Sequence, residues 1–275
     1  GPCWNPSQQS LPRARWCAFA GGMSRIFITG STDGLGLLNA RTLIGQGHDV
    51  VLHARTSARA AAVDDLDLAG VVVGDLSSDR ETRSIAEQVN AIGRMDAVIH
   101  NAGVYLSNVR ISTPEGHSRT LAVNVLAPYL LTALIDRPDR LVYVSSGMHL
   151  GVHSDLADID WTSRRWNAVQ AYSESKLYVA ALAAAVARHW PDVLSNSVDP
   201  GWVPTKMGGP GAPDDLELGH DTQSWLAASN DPAAPITGAY LHHRRHQRPA
   251  PEVDDPAFQD RLVDTLAGIT GTPLY

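Results

Sequence analysis

Short apolar runs that alternate with helix-like stretches are the feature of this sequence that most restricts its fold. Most of the runs are nearly continuous in apolar residues, which is typical of parallel strands covered on both faces. This order predicts one α/β domain, residues 23–275, with a doubly wound parallel sheet whose ligand binds at the carboxyl ends of the strands. The predicted strands are residues 25–29, 49–53, 71–73, 97–100, 141–145 and 194–198, and the predicted helices cover about 35–46, a segment beginning at 78, about 115–134 and about 172–189.

Composition excludes several classes of protein. Of the 275 residues, 44% are hydrophobic and 19% are charged, which is too apolar for a disordered chain. The net charge of −7 argues against a nucleic-acid-binding protein, which needs a basic face. No apolar run approaches the roughly 20 residues that a membrane helix requires. We therefore expect a cytoplasmic protein with neither nucleic acid nor a membrane as its partner.

Residues 1–22 show no strand or helix period, and we interpret them as a leader or an appended extension that is disordered and outside the fold. Both cysteines, Cys3 and Cys17, lie in this segment. From residue 23 onward the sequence therefore offers no disulfide, no thiolate metal site and no cysteine nucleophile. That composition fits the reducing cytoplasm.

A glycine-rich segment separates the first predicted strand from the first predicted helix. Glycine permits positive φ and lets the backbone approach a ligand closely, and the helix amino terminus offers free N–H groups to a pyrophosphate. A bare strand-to-helix turn can also require glycine, but this placement in a doubly wound sheet favours a dinucleotide. The predicted cofactor contacts in this segment are Gly30, Ser31, Thr32, Asp33, Gly34, Leu35 and Gly36.

The end of the second predicted strand indicates which dinucleotide is bound. An acid at this place usually binds the ribose hydroxyls of NAD, but here Ala54 is followed by Arg55. A guanidinium suits a 2′-phosphate, so NADP(H) is favoured over NAD(H), with Arg59 as a second candidate and a merely solvated arginine as the alternative. Asp75, after the third strand, is either an acceptor for the adenine amino group or a capping or loop aspartate.

Tyr172 and Lys176 lie four positions apart, which places them on one face of a predicted helix. A phenol with its ordinary pKa of about 10 is a poor acid or base, and a nearby ammonium stabilises its ionised form. Ser146 follows the fifth predicted strand, where it could hold a substrate oxygen while Tyr172 transfers a proton. On spacing alone, an ordinary surface pair remains the alternative.

Together these segments resemble the short-chain dehydrogenase/reductase family of the single-domain type, over nearly all of residues 24–240. The resemblance rests on six motifs: the glycine segment from Thr29 to Gly36, the His-Asn-Ala-Gly run at 100–103, the asparagine at 124, the serine at 146, the Tyr-x-x-x-Lys pair and the Pro-Gly-x-x-x-Thr loop at 200–205. His100 replaces the first asparagine that the family has in the second of these motifs. The resemblance implies a Rossmann-type fold and hydride transfer with a nicotinamide cofactor.

The resemblance also implies roles for individual residues. Asn124 would hold a water in a proton relay, and Lys176 would also bind the nicotinamide ribose. Thr205 and the backbone of Val203 would bind the nicotinamide carboxamide. The further cofactor contacts implied in this way are Leu76, Asn101, Ala102, Gly103, Tyr172, Pro200 and Gly201.

The spacing between the serine and the tyrosine indicates a branch of the family. Tyr172 follows Ser146 after 26 positions, and the added stretch is similar to the retinol-dehydrogenase-like and protochlorophyllide-reductase-like branches, which mostly use NADP(H). Inserts near this place can cover a surface used for tetramer packing, so a monomer or homodimer is expected. A substrate lid is expected around 202–235, with Trp202, Met207 and Trp225, although apolar packing alone explains these three residues equally well.

Several histidines resemble functional residues without requiring a function. His242, His243 and His246 resemble a metal cluster, but the interleaved arginines favour a solvated loop, and we expect no metal site. His149 could touch substrate, and a hydrogen-bonded structural histidine is the favoured alternative.

The sequence therefore predicts an NADP(H)-dependent oxidoreductase that interconverts a ketone or aldehyde with an alcohol. Its proposed catalytic set is Asn124, Ser146, Tyr172 and Lys176. One alternative is a non-catalytic NADP(H)-binding sensor of the same fold, although a sensor has no need of a proton relay. A sugar-nucleotide epimerase shares the Tyr-Lys chemistry but usually has another glycine spacing and a longer carboxyl-terminal domain.

Overall fold

A single sheet organises the protein, and its strand order is β3-β2-β1-β4-β5-β6-β7-β8. The structure, a computed structural model, describes residues 22–105 and 107–275. All neighbouring strands in this part of the chain pair in parallel except β7 and β8, which form an antiparallel hairpin. The strands are β1 (Arg25–Ile28), β2 (Asp49–Ala54), β3 (Gly70–Val73), β4 (Ala97–His100), β5 (Arg140–Val144), β6 (Leu194–Asp199), β7 (Tyr240–His242) and β8 (Arg245–His246).

Helices cover both faces of the sheet. One face is covered by α1 and α7, and the other by α3, α5 and α6, with α8 packed on the outside of α6. The helices are α1 (Gly34–Gly45), α2 (Ser57–Ala61), α3 (Asp79–Ile92), α4 (Arg119–Leu121), α5 (Ala127–Leu134), α6 (Ala168–His189), α7 (Leu216–Ala228) and α8 (Pro256–Thr270). This architecture confirms the predicted doubly wound α/β fold of the Rossmann type.

Alternate residues of the central strands enter opposite cores, because successive side chains of a strand point to opposite faces. In β1, Phe27 packs among the residues of α3, α5 and α6, whereas Ile26 and Ile28 pack with α1 and α7. Both sets are fully buried. Covered faces therefore explain why these strands lack polar alternation.

The predicted strand at 194–198 is part of β6, which is buried although it is not continuously apolar. Its Ser195, Asn196 and Ser197 are polar yet buried. The Ser195 hydroxyl donates to the Ala183 carbonyl, and the Asn196 amide donates to the Ile236 carbonyl, so these buried groups have hydrogen-bond partners. These hydrogen bonds, together with the buried apolar side chains of Leu194 and Val198, keep β6 inside the sheet.

Two helices begin at residues other than those predicted. The helix expected from about 115 starts at Arg119, because the preceding segment turns at Gly116 with φ of +90° and Ser118 caps the helix through its side chain. It continues through a π-helical turn, Ala122–Leu126, into α5. The helix expected from about 172 starts at Ala168, where the Asn167 side chain accepts from the Gln170 N–H.

The capping box predicted at Ser78 is half formed. The Ser78 hydroxyl accepts from the Glu81 N–H, as expected at the start of α3. The Glu81 carboxylate accepts from the Asp75 N–H instead of returning to Ser78. Glu81 thereby fixes the loop that leaves β3, at the carboxyl edge of the sheet.

The carboxyl edge contains the point where the strand order reverses. The chain goes from β1 outward to β2 and β3 and then returns to β4 on the other side of β1. Open α/β sheets bind ligands in the crevice that this reversal creates. Among the described residues, none of the helices has both the length and the apolar character needed to cross a lipid bilayer. The expected leader lies outside the described residues except for Gly22, so its prediction stays untested.

Candidate active site

A cavity of about 760 Å³ lies at the carboxyl edge of the sheet and reaches from the β1–α1 turn to the start of α6. It brings together most of the residues that the sequence singles out. Those lining it are Gly30, Asp33, Gly34, Leu35, Arg55, Asp75, Leu76, Asn101, Ala102, Gly103, Ser146, Tyr172, Lys176, Pro200, Gly201, Val203 and Thr205. Ser31, Thr32, Gly36 and Asn124 were also predicted as site residues, but they do not line it.

The glycines of the β1–α1 turn have two different functions. At Gly30 and Gly36 the turn packs tightly: a Cβ on Gly30 would lie 2.9 Å from the Ala102 Cα, and one on Gly36 would lie 2.5 Å from the Gly30 carbonyl oxygen. Gly34, with φ of +54°, faces open space instead, and a Cβ there would meet nothing closer than the Thr205 side chain at 3.9 Å. The cavity therefore opens directly onto the first residue of α1.

The Ser31 side chain stabilises the β1–α1 turn and does not line the cavity. Its side chain is fully buried. The Ser31 hydroxyl donates to the Ile28 carbonyl at 2.8 Å and accepts from the His53 N–H at 2.9 Å. The Ser31 side chain therefore joins β1 to β2, and the predicted contact of this residue with a cofactor stays a prediction.

The amino terminus of α1 keeps its N–H groups free of side-chain caps. Asp33, the residue before the helix, makes no side-chain bond to it, and the first turn contains no acid. The Asp33 carboxylate instead pairs with Arg59 at 2.8 Å and Lys206 at 3.0 Å. Partial burial raises the pKa of Asp33, but the hydrogen bonds from these two cations outweigh it and leave the pKa below its usual value. An anion at this terminus would meet N–H groups and the positive end of the helix dipole.

Arg55 and Asp75 reach the cavity from neighbouring strands. Arg55 follows β2, is exposed and lines the cavity. Asp75 Oδ1 accepts from the Ser77 N–H at 2.9 Å and from its hydroxyl at 2.8 Å, so the loop interpretation of Asp75 is correct. Because Asp75 also lines the cavity, its expected contact with adenine stays a prediction.

Tyr172 and Lys176 share one wall of the cavity. The Lys176 Nζ lies 5.6 Å from the centre of the Tyr172 ring and donates to the Val144 carbonyl at 2.9 Å. Burial lowers the pKa of Lys176 to about 8, and only the nearby Asp199 carboxylate opposes this shift. The pair is therefore not an ordinary surface pair.

Burial also raises the pKa of Tyr172 well above its usual value, against a smaller lowering by its hydrogen bond with the Ser146 side chain. A phenol in this state holds its proton and can donate it. The Ser146 hydroxyl accepts from the Met148 N–H at 3.2 Å, which fixes its position after β5.

Asn124 supports the wall of the cavity from the π-helical turn. Its side-chain oxygen accepts from the Val104 N–H at 2.8 Å. Its amide nitrogen donates to the Val104 carbonyl at 3.1 Å and to the Ser175 hydroxyl at 3.0 Å. The side chain therefore anchors the segment after β4, and the water that Asn124 was expected to hold stays a prediction.

The histidines have structural surroundings. His149 is fully buried; its Nδ1 bonds to the Ser146 carbonyl at 2.8 Å, and its Nε2 accepts from the Ala250 N–H at 3.1 Å. Burial lowers the pKa of His149. The structural alternative for this histidine is therefore correct. Within residues 22–105 and 107–275, no group of three metal-ligating side chains could hold a metal ion.

Only some of the residues expected in a substrate lid line the cavity, and the lid itself stays a prediction. Trp202 and Met207 line the cavity, but Trp225 is buried in the core between α7 and the sheet, where apolar packing explains it. Sequence reasoning missed other lining residues, because none of them is itself a defining residue of a motif. The most important of them are Tyr105, Met148, Asp199, Lys206 and Asp214. Only Asp199 had a signal, since it directly precedes the Pro-Gly pair.

Comparison with known proteins places this fold and site in one family. A family model described as short chain dehydrogenase matches residues 24–215. The chain therefore belongs to the short-chain dehydrogenase/reductase family, whose members are oxidoreductases that bind a nicotinamide cofactor. This confirms the resemblance inferred from the motifs.

Relatives from several organisms cover nearly the whole chain. Short-chain dehydrogenase chyC of Penicillium rubens is 43% identical and covers 92% of this chain and 99% of its own length. Retinol dehydrogenase 13 of Homo sapiens is 26% identical over 90% of this chain and 84% of its own length, which supports the predicted retinol-dehydrogenase-like branch. The crystal structure of a blue fluorescent protein from a metagenomic library, in complex with NADPH, has the same fold, with a TM-score of 0.65 and 21% identity over 79% of this chain and 95% of that one.

Proposed function

We propose that the protein is an NADP(H)-dependent oxidoreductase that interconverts a ketone or aldehyde with the corresponding alcohol. One observation carries this proposal. The phenol of Tyr172, the hydroxyl of Ser146 and the ammonium of Lys176 meet on one wall of a cavity that also reaches the uncapped terminus of α1. That arrangement joins a dinucleotide site to a proton donor.

The chain's own groups account for the proton and the substrate oxygen. A bound nicotinamide cofactor supplies a hydride, and thus the electron pair for a new C–H bond at the carbonyl carbon. The Ser146 hydroxyl donates a hydrogen bond to the substrate oxygen and holds it beside Tyr172. As the C=O π pair moves onto that oxygen, the Tyr172 hydroxyl gives up its proton to it, and the product is an alcohol. In the reverse direction Tyr172 takes the proton back.

Lys176 stabilises the phenolate that forms when Tyr172 loses its proton. Its ammonium lies on the same face of α6 and is held by the Val144 carbonyl. A charge in such a buried site acts more strongly than it would in water. Solvent then returns a proton to Tyr172, for which the water proposed at Asn124 is the first donor.

The residues around α1 fit a phosphorylated dinucleotide. Gly34 leaves room at the helix terminus for a pyrophosphate. Arg59 and Lys206 are engaged with Asp33, which leaves Arg55 as the cation at the end of β2 for a 2′-phosphate. Leu76 directly follows Asp75 and lines the cavity, so the adenine ring is expected at this segment after β3. Ala102 packs against Gly30, and a Cβ on Gly103 would lie 3.5 Å from the Lys176 Nζ, so these two residues fit the middle of the dinucleotide and its nicotinamide end.

We also propose a cytoplasmic protein that is a monomer or a homodimer, acts on small molecules and binds no nucleic acid. The outer face of α6 supports the small assembly, because α8 covers it with Phe258, Leu262 and Leu266, all of them buried. Residues 23–275 are proposed as one catalytic domain, with a lid that includes the cavity-lining part of 202–235.

A carbonyl panel tests the proposed activity directly. Aliphatic and aromatic ketones and aldehydes are supplied with NADPH or NADH, and loss of the reduced cofactor is followed by absorbance. Consumption of NADPH with equimolar formation of alcohol is the expected result. If NADPH binds but no carbonyl compound is reduced, the activity is refuted and a non-catalytic sensor becomes the better description.

A further inference from the structure

Two carboxylates that no motif singled out line the half of the cavity built from β6 and the loop after it. Asp199 is the last residue of β6, and its Oδ1 accepts from the Gly201 N–H at 2.9 Å. Its Oδ2 lies beside Gly147, since a Cβ on that glycine would be 3.0 Å away. The Asp199 carboxylate therefore lies next to the residue that follows Ser146.

Asp214 places a second carboxylate on the same loop. It lines the cavity and accepts from the Trp202 N–H. A Cβ on Gly201 would be 2.7 Å from its Oδ2, so the two carboxylates lie on either side of the Gly201–Trp202 link. Within the described part of the chain, neither has an arginine or lysine at ion-pair distance, and Asp199 has only His242, at 3.8 Å.

Cations of the cavity do not cancel this negative charge. Arg55 follows β2, and Arg119 lies in α4, whose flanking residues His117 and Ala122 line a small pocket together with Leu76 and Ser77 after β3. Both cations are therefore on the side of the sheet where the dinucleotide is proposed to bind. Lys206 is engaged with Asp33. The Lys176 ammonium lies close enough to Asp199 to interact with its charge. Among the described residues no second lysine or arginine pairs with either carboxylate, so one ammonium against two carboxylates leaves the substrate end with a net negative charge.

Exposed apolar side chains form the rest of the substrate end. The Tyr105 ring packs edge-on against Tyr172, with 4.8 Å between ring centres, and its hydroxyl contacts the Met148 sulfur. Trp202 is 61% exposed and Met207 is 43% exposed, although both line the cavity. The Trp202 indole N–H donates to the Gly208 carbonyl at 2.8 Å, so the ring is held in place. Large apolar groups kept exposed at a cavity indicate a ligand that covers them.

We propose that the substrate is a bulky aromatic ketone or aldehyde without an anionic group, and that Asp199 and Asp214 exclude anionic analogues. This inference rests on the proposed carbonyl–alcohol activity. The aromatic body lies between Tyr105 and the Trp202–Met207 segment, with its carbonyl oxygen at Ser146 and Tyr172. An anionic group on that body would be repelled by two carboxylates and would lose its own hydration.

Matched ketones test the charge selection. The probes are 2-acetylnaphthalene and 6-acetyl-2-naphthoate, which share a ring system and differ by one carboxylate, each with NADPH and with NADH. The neutral ketone is expected to have a kcat/KM higher by about tenfold or more, from like-charge repulsion at partly shielded distances. Equal kcat/KM values for the two ketones would overturn the proposal but leave the carbonyl activity standing. No turnover of either ketone, or of any other carbonyl compound, would refute the activity itself.

Variants that replace one carboxylate by an amide test whether Asp199 and Asp214 cause the selection against anionic ketones. Asp199→Asn and Asp214→Asn are each expected to raise the anionic-to-neutral ratio of kcat/KM by about three- to tenfold. Both ketones are measured with the same variant. A change in the chemical step that affects both ketones equally, such as an effect on Lys176, therefore cancels in the ratio. Asp192→Asn is the matched control, because this exposed aspartate pairs with Arg137 at the opposite edge of the sheet. An unchanged ratio in both test variants would overturn the assignment.

A truncation tests the aromatic contact separately. Trp202→Ala is expected to raise the KM for 2-acetylnaphthalene about tenfold, because the naphthalene ring of the substrate loses its apolar contact with the indole. The KM for butanone, which has no aromatic ring, should change less than about twofold. Leu150→Ala is the control, since Leu150 is 53% exposed and does not line the cavity. Equal changes in KM for both ketones would contradict a role of Trp202 in recognising the ring.

Discussion

Tyr172 and Lys176 show how burial sets the chemistry of single residues. Burial raises the pKa of the phenol and lowers the pKa of the ammonium to about 8, so it favours the uncharged form of both groups. From the sequence we expected the ammonium to ease the ionisation of the phenol. In the structure, the larger effect on the pKa of the phenol is burial, with Asp199 adding to it. The site therefore favours the protonated form of Tyr172, which is the form that the proposed proton transfer requires.

Replacing Tyr172 by phenylalanine tests its role as the acid. Tyr172→Phe removes the hydroxyl and keeps the ring, so kcat is expected to fall by about 10²- to 10⁴-fold, the usual contribution of a positioned acid. NADPH affinity, measured by fluorescence titration, should change little. Tyr105→Phe is the control, since it removes a neighbouring hydroxyl, which contacts the Met148 sulfur, and keeps the ring that packs against Tyr172. Unchanged turnover in Tyr172→Phe would refute the assignment.

Lys176 predicts a basic limb in the pH profile. Because burial lowers its pKa to about 8, the ammonium is present below that pH and is lost as the pH rises through it. For ketone reduction, kcat/KM of the free enzyme is expected to fall above about pH 8. The measurement is initial rate against pH at constant ionic strength. A profile that stays flat to about pH 10, the ordinary value for an exposed lysine, would contradict a role for the Lys176 charge.

Arg55 predicts the cofactor preference. In Arg55→Asp a carboxylate would face the 2′-phosphate, so the Kd for NADPH is expected to rise about 100-fold while the Kd for NADH changes only a few-fold. Titration of cofactor fluorescence measures both constants. Arg80→Asp makes the same charge change on an arginine that is 86% exposed on α3 and does not line the cavity. An equal loss for both cofactors would argue against the phosphate contact.

The helix that carries Asn124 shows how one element supports a neighbouring segment. The π-helical turn places Asn124 so that its amide bonds both backbone groups of Val104 and the Ser175 hydroxyl. These bonds join the π-helical turn, α6 and the segment after β4, and that segment forms part of the cavity wall. Asn124 therefore positions the wall whether or not it also holds a relay water.

Removing this amide should weaken the fold locally. Asn124→Ala leaves buried polar groups without partners, and the free energy of unfolding is expected to fall by about 1–3 kcal/mol. Urea denaturation followed by circular dichroism measures the change. Asn108→Ala, at an exposed asparagine, should remain within about 0.5 kcal/mol of the parent. A loss in Asn124→Ala no larger than in this control would mean that the bonds contribute little.

Local sequence predicted the elements unevenly. The apolar strands β1, β2 and β4 were located within about a residue, because burial on both faces requires a continuous apolar run. The predicted start of the helix at about 115 was wrong, because Gly116 forms a turn and the Ser118 side chain caps the helix, which begins at Arg119. The strand β6 was located although three of its buried residues, Ser195, Asn196 and Ser197, are polar, and tertiary hydrogen bonds compensate the burial of Ser195 and Asn196.

At the scale of the whole molecule, α8 closes the fold against α6. The Tyr129 hydroxyl donates to the Thr272 carbonyl, and Arg83 donates to the Thr270 carbonyl, so the end of the chain is tied to α5 and α3 as well. Apolar helix surface that could join two copies is thus buried within one copy. From the sequence, the added stretch between Ser146 and Tyr172 was expected to disfavour a tetramer. The packing of α8 on α6 is a second and more direct reason for the same expectation.

This closure predicts a small assembly. With the outer face of α6 covered, the protein is expected to run as a monomer or a dimer over a wide concentration range. Light scattering coupled to size-exclusion chromatography gives the mass, to be compared with 29.5 kDa for one chain. A stable tetramer would contradict the expectation, because its copies would have to meet through another surface.

The sequence by itself determined the class of fold, the glycine turn and the residues of the proposed proton transfer. These depend on spacing along one strand or one helix, and such spacing is local. Tertiary structure decided that Ser31 and His149 face inward, that burial governs the pKa values of Tyr172 and Lys176, and that Asp199, Asp214, Tyr105 and Trp202 meet in one cavity. Burial and electrostatic surroundings come from segments far apart in the chain, and no local pattern encodes which of them will be neighbours.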